Sequence, residues 1–251
     1  MVFCALRCNF DGEMSNSYFE FRQFTVRQDR CAMKVGTDGT LLGAWADIPA
    51  DNRQKRILDI GCGTGLITLM MAQRFPKCEV IGIDIDEDAV AQACENVSLS
   101  PFSDRVVVYH QDIMKFNDIS SFDAIVSNPP YFVDSLTCPD NQRTTARHTV
   151  SLTYEGLMKQ AFQLLKDDGI FSVVIPSENR SRIEAAACLE GFFMTRVCLV
   201  KTTPKKQPKR QLIEFKKHPG KELVIEEGTI EDLPNVRSDW YQQLTKEFYI
   251  K

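Results

Sequence analysis

A glycine-rich segment stands where an apolar, strand-like run gives way to a helical pattern. It reads Asp59-Ile60-Gly61-Cys62-Gly63-Thr64-Gly65. Glycines at such a turn let the backbone approach a ligand without interference from a Cβ atom. The spacing Gly-x-Gly-x-Gly differs from the Gly-x-Gly-x-x-Gly that holds a dinucleotide pyrophosphate at a helix N-terminus. We predict a nucleotide-binding turn suited to a ligand without phosphates, with an NAD site and a purely structural turn as the alternatives.

Two acidic residues follow predicted strands farther along the chain. Asp84 ends the run Ile81-Gly82-Ile83-Asp84, where a carboxylate can accept hydrogen bonds from both hydroxyls of a ribose. Asp112 follows the next strand and could accept a hydrogen bond from an adenine amino group, although acids in this position often only cap a helix. Open parallel sheets bind ligands at the carboxyl ends of their strands. The two acids and the glycine turn therefore predict an adenosine pocket.

The segment Asn128-Pro129-Pro130-Tyr131 follows the fourth strand of this series. Two prolines remove two amide donors, so carbonyl acceptors are left to face a ligand. An aromatic or amide-like amino group is a poor nucleophile because its lone pair is delocalised, and a site that methylates it must hold both of its hydrogens. Asn128 Oδ1 and the Pro129 carbonyl oxygen can form that acceptor pair, and Tyr131 can stack on a flat target. The same four residues are also a common loop composition, which leaves a structural role open.

The pattern from Arg56 onward alternates short apolar runs with helical stretches, which indicates βαβ units and an α/β fold with a parallel sheet. The predicted strands are 57–60, 79–83, 105–109, 122–127 and 169–175, and the predicted helices are 66–75, 87–98 and 154–166. Two further strands, 195–202 and 210–217, could form a hairpin at the sheet edge, because prolines and lysines between them indicate an exposed loop. A terminal helix is expected over 237–248.

Length and composition limit the classes of protein that the chain can represent. Its 251 residues suit one large domain with appendages. No apolar run reaches the length of a membrane-spanning helix and the first ten residues lack a secretory signal, so we expect a cytoplasmic protein. Nine cysteines without a Cys-x-x-Cys pair argue against a disulfide framework and a zinc cluster. The net charge of −4 means that any contact with nucleic acid must be local.

Together, the glycine turn, Asp84, Asp112 and the segment 128–131 resemble the class I methyltransferases that modify amino nitrogens. The segment 24–39 is similar to the bacterial adenine-N6 methyltransferases specific for valine tRNA. The similarity continues through Trp45, Arg143, Arg147, 152–157 and 244–249.

The resemblance implies a class I methyltransferase, Rossmann-like fold: a mostly parallel seven-stranded sheet with helices on both faces and an antiparallel edge hairpin. We predict a single methyltransferase domain over 1–251, with an N-terminal extension or lid (1–45), a core (46–217) and a C-terminal extension (218–251), and we assign no role to residues 1–15, which are not part of the resemblance. S-adenosyl-L-methionine would be the cofactor, S-adenosyl-L-homocysteine the product, and no metal would be needed. The reaction would methylate N6 of the adenosine just 3′ of the anticodon of a valine tRNA.

Site residues follow from the same resemblance. The predicted cofactor-binding residues are Lys34, Thr37, Asp38, Asp59, Gly61, Gly63, Gly65, Asp84, Asp112 and Asn128, and the predicted catalytic residues are Asn128, Pro129, Pro130 and Tyr131. The segment 34–40 could fold over the cofactor pocket as a lid, or form an ordinary turn before a helix that starts near Leu41.

The chain carries a locally basic stretch despite its negative charge. Between Lys201 and Lys221 lie eight lysines or arginines and one acid, Glu214. Such a stretch can contact phosphates, although it can also be a solvated edge that discourages strand pairing. The predicted RNA-binding residues are Arg143, Arg147, Lys205, Lys206, Lys209 and Arg210. We expect tRNA as the partner, no membrane and no obligatory protein partner.

Two rival functions stay open. A protein glutamine side chain presents the same planar amino group as adenine, so a glutamine-N5 methyltransferase is the enzymatic alternative. A cofactor-binding RNA-binding protein without catalysis is the other. His110 and His148 are expected to be structural, and Cys138 is not favoured as a nucleophile because no partner base is evident.

Overall fold

The computed structural model describes residues 16–31, 33–51, 53–130 and 152–250. Its strands are β1 (Tyr18–Glu20), β2 (Thr25–Arg27), β3 (Arg56–Ile60), β4 (Glu79–Asp84), β5 (Val106–His110), β6 (Phe122–Ser127), β7 (Leu165–Pro176), β8 (Phe193–Lys201), β9 (Arg210–Lys216), β10 (Val224–Thr229), β11 (Glu231–Leu233) and β12 (Val236–Arg237). Its α-helices are α1 (Thr37–Trp45), α2 (Leu66–Arg74), α3 (Glu87–Ser98), α4 (Tyr154–Leu164), α5 (Arg180–Glu190) and α6 (Asp239–Thr245). Each predicted strand and helix is present, with bounds that differ by a few residues.

Eight strands form the main sheet, in the order β10-β8-β9-β7-β6-β3-β4-β5. Strand β9 runs antiparallel to both of its neighbours, and all the other adjacent pairs are parallel. The α/β class, the mostly parallel sheet and the antiparallel hairpin are thus confirmed. The predicted number of seven strands is wrong, because β10 pairs with β8 and adds an eighth strand outside the hairpin.

Backbone pairing with β8 attaches β10 to the sheet, and polar side-chain contacts support it. Glu226 accepts a hydrogen bond from Trp45 Nε1 at 2.8 Å and lies 3.3 Å from Arg196 Nε. The Arg196 guanidinium in turn lies 3.8 Å from the centre of the Trp45 ring, which is within cation–π range. Because β10 is mostly exposed and carries acids, it lacks the apolar alternation by which half-buried strands are recognised. The strand comes from the predicted C-terminal extension, and the division of the domain stays a prediction.

Apolar side chains of the central strands alternate between two cores, one on each face of the sheet. In β6, Val126 belongs to the core that includes residues of α1, α2 and α6, whereas Ile125 belongs to the core that includes residues of α4 and α5. Helices therefore cover both faces, as predicted, and the strands between them can be apolar throughout. In the described ranges, no helix combines the length and the apolar character that crossing a membrane requires.

The direction of the strands decides which residues meet. Strands β3 to β8 all run the same way, so their carboxyl ends lie at one edge of the sheet, and β9 begins at that edge. The glycine turn after β3, Asp84 at the end of β4, Asn128 after β6 and the loop 202–209 before β9 are consequently placed at the same edge. Ligands of open parallel sheets bind at this edge.

Candidate functional site

The glycine turn joins β3 to α2 in a conformation that suits glycine. Gly61, Gly63 and Gly65 have φ values of 71°, 54° and 80°, in the left-handed region that L-residues rarely adopt. A Cβ added to Gly61 or Gly63 would meet no atom within 4 Å, whereas one added to Gly65 would lie 3.3 Å from Ala93 Cβ. Gly61 and Gly63 therefore border open space, and Gly65 lets α2 approach α3.

The backbone amides of this turn are already used within the chain. The amides of Gly61 and Cys62 donate to the Ile83 carbonyl oxygen at 2.9 and 3.0 Å. The amide of Gly63 donates to Asp84 Oδ2 at 2.8 Å. A phosphate-binding loop needs free amides. The turn thus offers close approach rather than donors, which favours a ligand without phosphates over NAD.

Two adjoining cavities open beside the turn. The larger has a volume of about 510 Å³ and the smaller about 320 Å³. Four residues line both of them: Met33, Gly61, Gly63 and Asn128. The two cavities therefore form one elongated cleft with Asn128 at the junction.

The larger cavity combines apolar walls with carboxylates. Ile85, Ile113 and Leu152 line it together with Asp84 and Asp112. Flat apolar walls and a few convergent acceptors are suited to a nucleoside. This end of the cleft corresponds to the adenosine pocket predicted from the sequence.

Each acid of this pocket also has a local role. Asp84 Oδ2 accepts from Gly63 and Oδ1 accepts from the Asp86 amide at 3.0 Å, so the carboxylate fixes the glycine turn. Asp112 Oδ1 accepts from the Met114 amide at 2.9 Å and caps the single turn of 3-10 helix at Ile113–Lys115. Asp112 is therefore a helix cap, which was the alternative left open by the sequence, and its side chain lines the cavity as well.

Asn128 is held at the end of a fully buried strand. The Ser127 hydroxyl donates to the Ile60 carbonyl oxygen at 2.8 Å, which joins the ends of β6 and β3. Pro129 lines the smaller cavity and Pro130 the larger one. The remaining predicted catalytic residue, Tyr131, lies outside the described residues, as do Arg143, Arg147, Cys138 and His148.

The smaller cavity holds opposite charges. Lys34, Thr37, Asp38 and Arg210 line it, and Arg210 Nε lies 2.6 Å from Asp38 Oδ1. Burial raises the pKa of Asp38, and the Arg210 charge opposes that rise. Arg210 was predicted to contact RNA, but its side chain faces this cavity and is only 21% exposed.

The three lysines predicted to contact RNA are exposed, unlike Arg210. Lys205, Lys206 and Lys209 belong to the loop between β8 and β9. The Ser177 amide donates to the Lys209 carbonyl oxygen at 3.0 Å, so this loop lies against the end of β7. Three exposed cations are thus held at the edge of the sheet that carries the cleft.

Asp59, a predicted cofactor-binding residue, does not line either cavity. It is fully buried beneath the turn, where its Oδ2 accepts a hydrogen bond from Thr68 Oγ1 at 2.6 Å. Burial raises the pKa of Asp59 to about 7, although the Thr68 hydrogen bond opposes the shift. The structure therefore places Asp59 as a support of the turn.

The raised pKa of Asp59 predicts a pH dependence of stability. An Asp in an unfolded chain has a pKa of about 3.9, so the folded state favours the protonated acid. The contribution of Asp59 to the stability of the fold is therefore fully present below about pH 4 and is lost as the pH rises through about 7. The free energy of unfolding of the wild type should fall by on the order of 2–4 kcal/mol between pH 5 and pH 8, and that of Asp59→Asn should lack this fall. Urea unfolding at the two pH values measures both. Parallel profiles for the wild type and the variant would contradict the prediction.

Two residues of α3 with buried side-chain amides, Asn96 and Gln92, support the site and were missed by the sequence analysis. Asn96 Nδ2 donates to the carbonyl oxygens of Arg27 and Thr64, each at 2.9 Å, and Gln92 Oε1 accepts from the Arg30 amide at 3.0 Å. Asn96 therefore links the N-terminal segment to the glycine turn, and Gln92 links that segment to α3. Both lie on the buried face of α3 with Ala89 and Ala93. Polar residues at helical positions that are otherwise apolar are the sequence signal that could have identified them.

Comparison with known proteins gives consistent relatives over nearly the whole chain. The family "Methyltransferase small domain" matches residues 41–204. Proteins named tRNA1(Val) (adenine(37)-N6)-methyltransferase from Bacteroides thetaiotaomicron and Phocaeicola vulgatus are 49% and 51% identical to this chain, covering 94% of it and 99% of their own length. A protein of the same name from Yersinia pestis is 41% identical over 92% of this chain and 93% of its own.

Solved structures share the fold at low sequence identity. A predicted O-methyltransferase from Agrobacterium tumefaciens is similar with a TM-score of 0.64 and 21% identity, covering 84% of this chain and 96% of that chain. The TYW2 protein of M. jannaschii, solved in complex with AdoMet, is similar with a TM-score of 0.54 and 14% identity, covering 82% and 86%. At these identities the likeness concerns the fold alone.

Proposed function

Because this chain belongs to the family of tRNA1(Val) (adenine(37)-N6)-methyltransferases and contains a methyltransferase small domain, we propose that it methylates N6 of the adenosine just 3′ of the anticodon in a valine tRNA. It is an enzyme of the methyltransferase class. The observation that carries the proposed reaction is the position of Asn128, at the junction of the two cavities beside the glycine turn.

The cleft fits S-adenosyl-L-methionine in shape and chemistry. Gly61 and Gly63 leave open the space that a Cβ would occupy, and four amides of the turn are engaged within the chain, as expected for a ligand without phosphates. In this proposal Asp84 binds the ribose hydroxyls, Asp112 binds the adenine, and the smaller cavity takes the amino-acid end. When bound, the cofactor supplies an electrophilic methyl group on a positively charged sulfur.

The task of the protein is then to position the target amine. Asn128 Oδ1 and the Pro129 carbonyl oxygen accept the two hydrogens of the adenine amino group, which leaves the nitrogen lone pair directed at the methyl group. Tyr131 stacks on the base. Holding two reactants in line removes much of the entropic barrier of a displacement, and a cleft that excludes water assists it.

The exposed lysines support a contact with RNA. An adenosine must leave its stack for its amino group to reach Asn128 in the cleft, and cations beside the opening can bind the phosphates of the flanking backbone. Lys205, Lys206 and Lys209 lie at the edge of the sheet that carries the cleft, and Arg143 and Arg147 are proposed to assist them. A tRNA substrate also suits the cytoplasmic location predicted from the sequence.

Labelled cofactor tests the proposal directly. Purified protein is incubated with methyl-labelled S-adenosylmethionine and either unmethylated total tRNA or a release-factor protein, and the labelled nucleoside is identified after digestion. We expect N6-methyladenosine, and none when a valine tRNA transcript carries guanosine in place of the target adenosine. Label in the protein alone would favour the glutamine alternative. Binding of tRNA and cofactor without any label would favour the non-catalytic one.

A further inference from the structure

We propose that Arg210 binds the carboxylate at the amino-acid end of the cofactor and that Asp38 orients it. This assignment rests on the proposed function and deepens it. It assigns Arg210 to the cofactor site, whereas the sequence analysis predicted that Arg210 contacts RNA.

The ion pair lies in the wall of the smaller cavity. Asp38 is the second residue of α1 and Arg210 is the first residue of β9, and both line this cavity with Gly61 and Asn128. Their side chains are 18% and 21% exposed. A phosphate of a large RNA would have to enter the cleft to reach a guanidinium placed here, whereas a ligand lying in the cleft would meet it directly.

Charge differs between the two ends of the cleft. Among the described residues, the larger cavity is lined by acids and by no lysine or arginine, whereas Lys34 and Arg210 line the smaller cavity. A ligand with a nucleoside at one end and a carboxylate at the other would match this distribution. An anion in the larger cavity would instead face Asp84 and Asp112.

The Arg210 guanidinium lies against the Asp38 carboxylate. Its contact with Asp38 uses Nε, at 2.6 Å. Arginine presents several N–H groups in a rigid plane that matches a carboxylate, and an acid that fixes Nε sets the direction of the other two nitrogens.

Three ligands that differ only at the amino-acid end test the assignment. S-adenosylhomocysteine carries the whole amino acid, its decarboxylated analogue lacks the carboxylate, and 5′-methylthioadenosine lacks the entire group. Calorimetric titration of Arg210→Gln should show S-adenosylhomocysteine affinity reduced about 10- to 100-fold, as expected for a lost charge-assisted contact. Affinities for the other two ligands should change by less than about threefold.

Further variants separate a local effect from damage to the fold. Arg210→Lys should recover part of the lost affinity, and Asp38→Asn should weaken S-adenosylhomocysteine more than methylthioadenosine. Arg237 forms a 3.3 Å ion pair with Glu231 away from the cleft, so Arg237→Gln is the matched control and should bind all three ligands as the wild type does. Binding of methylthioadenosine shows that each variant keeps the cleft.

The outcomes distinguish this inference from the proposed function. Equal weakening of all three ligands by Arg210→Gln would overturn the assignment, and so would unchanged binding of S-adenosylhomocysteine. Reduced tRNA affinity with unchanged cofactor affinity would return Arg210 to the RNA-binding residues. If the wild-type protein bound none of the three ligands, the proposed function itself would fail.

Discussion

Asn128→Ala is expected to lower the rate of methyl transfer to tRNA about 1000-fold, the scale seen when one positioned polar group of an active site is removed. The variant loses one of the two acceptors proposed to hold the adenine amino group, so the lone pair is no longer directed at the methyl group. The affinity for S-adenosylhomocysteine should change by less than about threefold, because the glycine turn, Asp84 and Arg210 are untouched. Single-turnover methylation and calorimetric titration measure the two effects separately.

Two further variants sharpen this test. Asn128→Asp keeps the size of the side chain but introduces a charge beside the cofactor, and it should also transfer poorly. Asn117 is exposed and lines neither cavity, so Asn117→Ala should retain the wild-type rate. If Asn128→Ala kept more than about a tenth of the wild-type rate, Asn128 would not be positioning the target.

Asp84→Ala is expected to weaken S-adenosylhomocysteine about 100-fold, which corresponds to the loss of charge-assisted hydrogen bonds to the ribose and of support for the turn. The second part follows from geometry, since Asp84 accepts hydrogen bonds from the amides of Gly63 and Asp86. Calorimetric titration measures the affinity, and thermal unfolding without ligand reports whether the fold is retained.

An isosteric variant divides the two contributions of Asp84. Asp84→Asn can still accept from the Gly63 amide but lacks the charge, so its loss of affinity should be smaller than that of Asp84→Ala. Asp104 is exposed in the turn before β5, and Asp104→Ala serves as the matched control with unchanged affinity. Wild-type affinity in Asp84→Ala would place the ribose elsewhere.

Strands β3 to β6 and the glycine turn could be predicted because local signals agreed with one another. Each apolar run was short, those of β3 and β4 were each followed by a helical pattern, and glycines with positive φ stand at the first junction. The same signals predicted a cavity at the carboxyl ends of these strands, because parallel strands bring those ends together, and its binding of adenosine stays a proposal. Elements of this kind are specified by residues close together in the chain.

Strand β10 and the role of Arg210 depend instead on distant contacts. β10 is attached through Trp45 and Arg196, neither of which marks residues 224–229 as a strand in the sequence. Arg210 stands in a stretch rich in lysine, so composition predicted an outward-facing phosphate contact. In the structure the Arg210 side chain lies 2.6 Å from Asp38, a residue distant in the chain, and its contact with RNA stays a prediction.

The ion pair between Asp38 and Arg210 has a consequence for biosynthesis. One partner stands at the start of the first helix and the other at the start of the ninth strand, so a ribosome must translate most of the chain before both exist. With synthesis at about 5–20 residues per second, a nascent chain spends several seconds with the glycine turn already made and no ninth strand to complete the cavity. A growing polypeptide therefore lacks the proposed contact with the carboxylate until the ninth strand is made, and the full stabilisation by the cofactor is available only when translation is nearly finished.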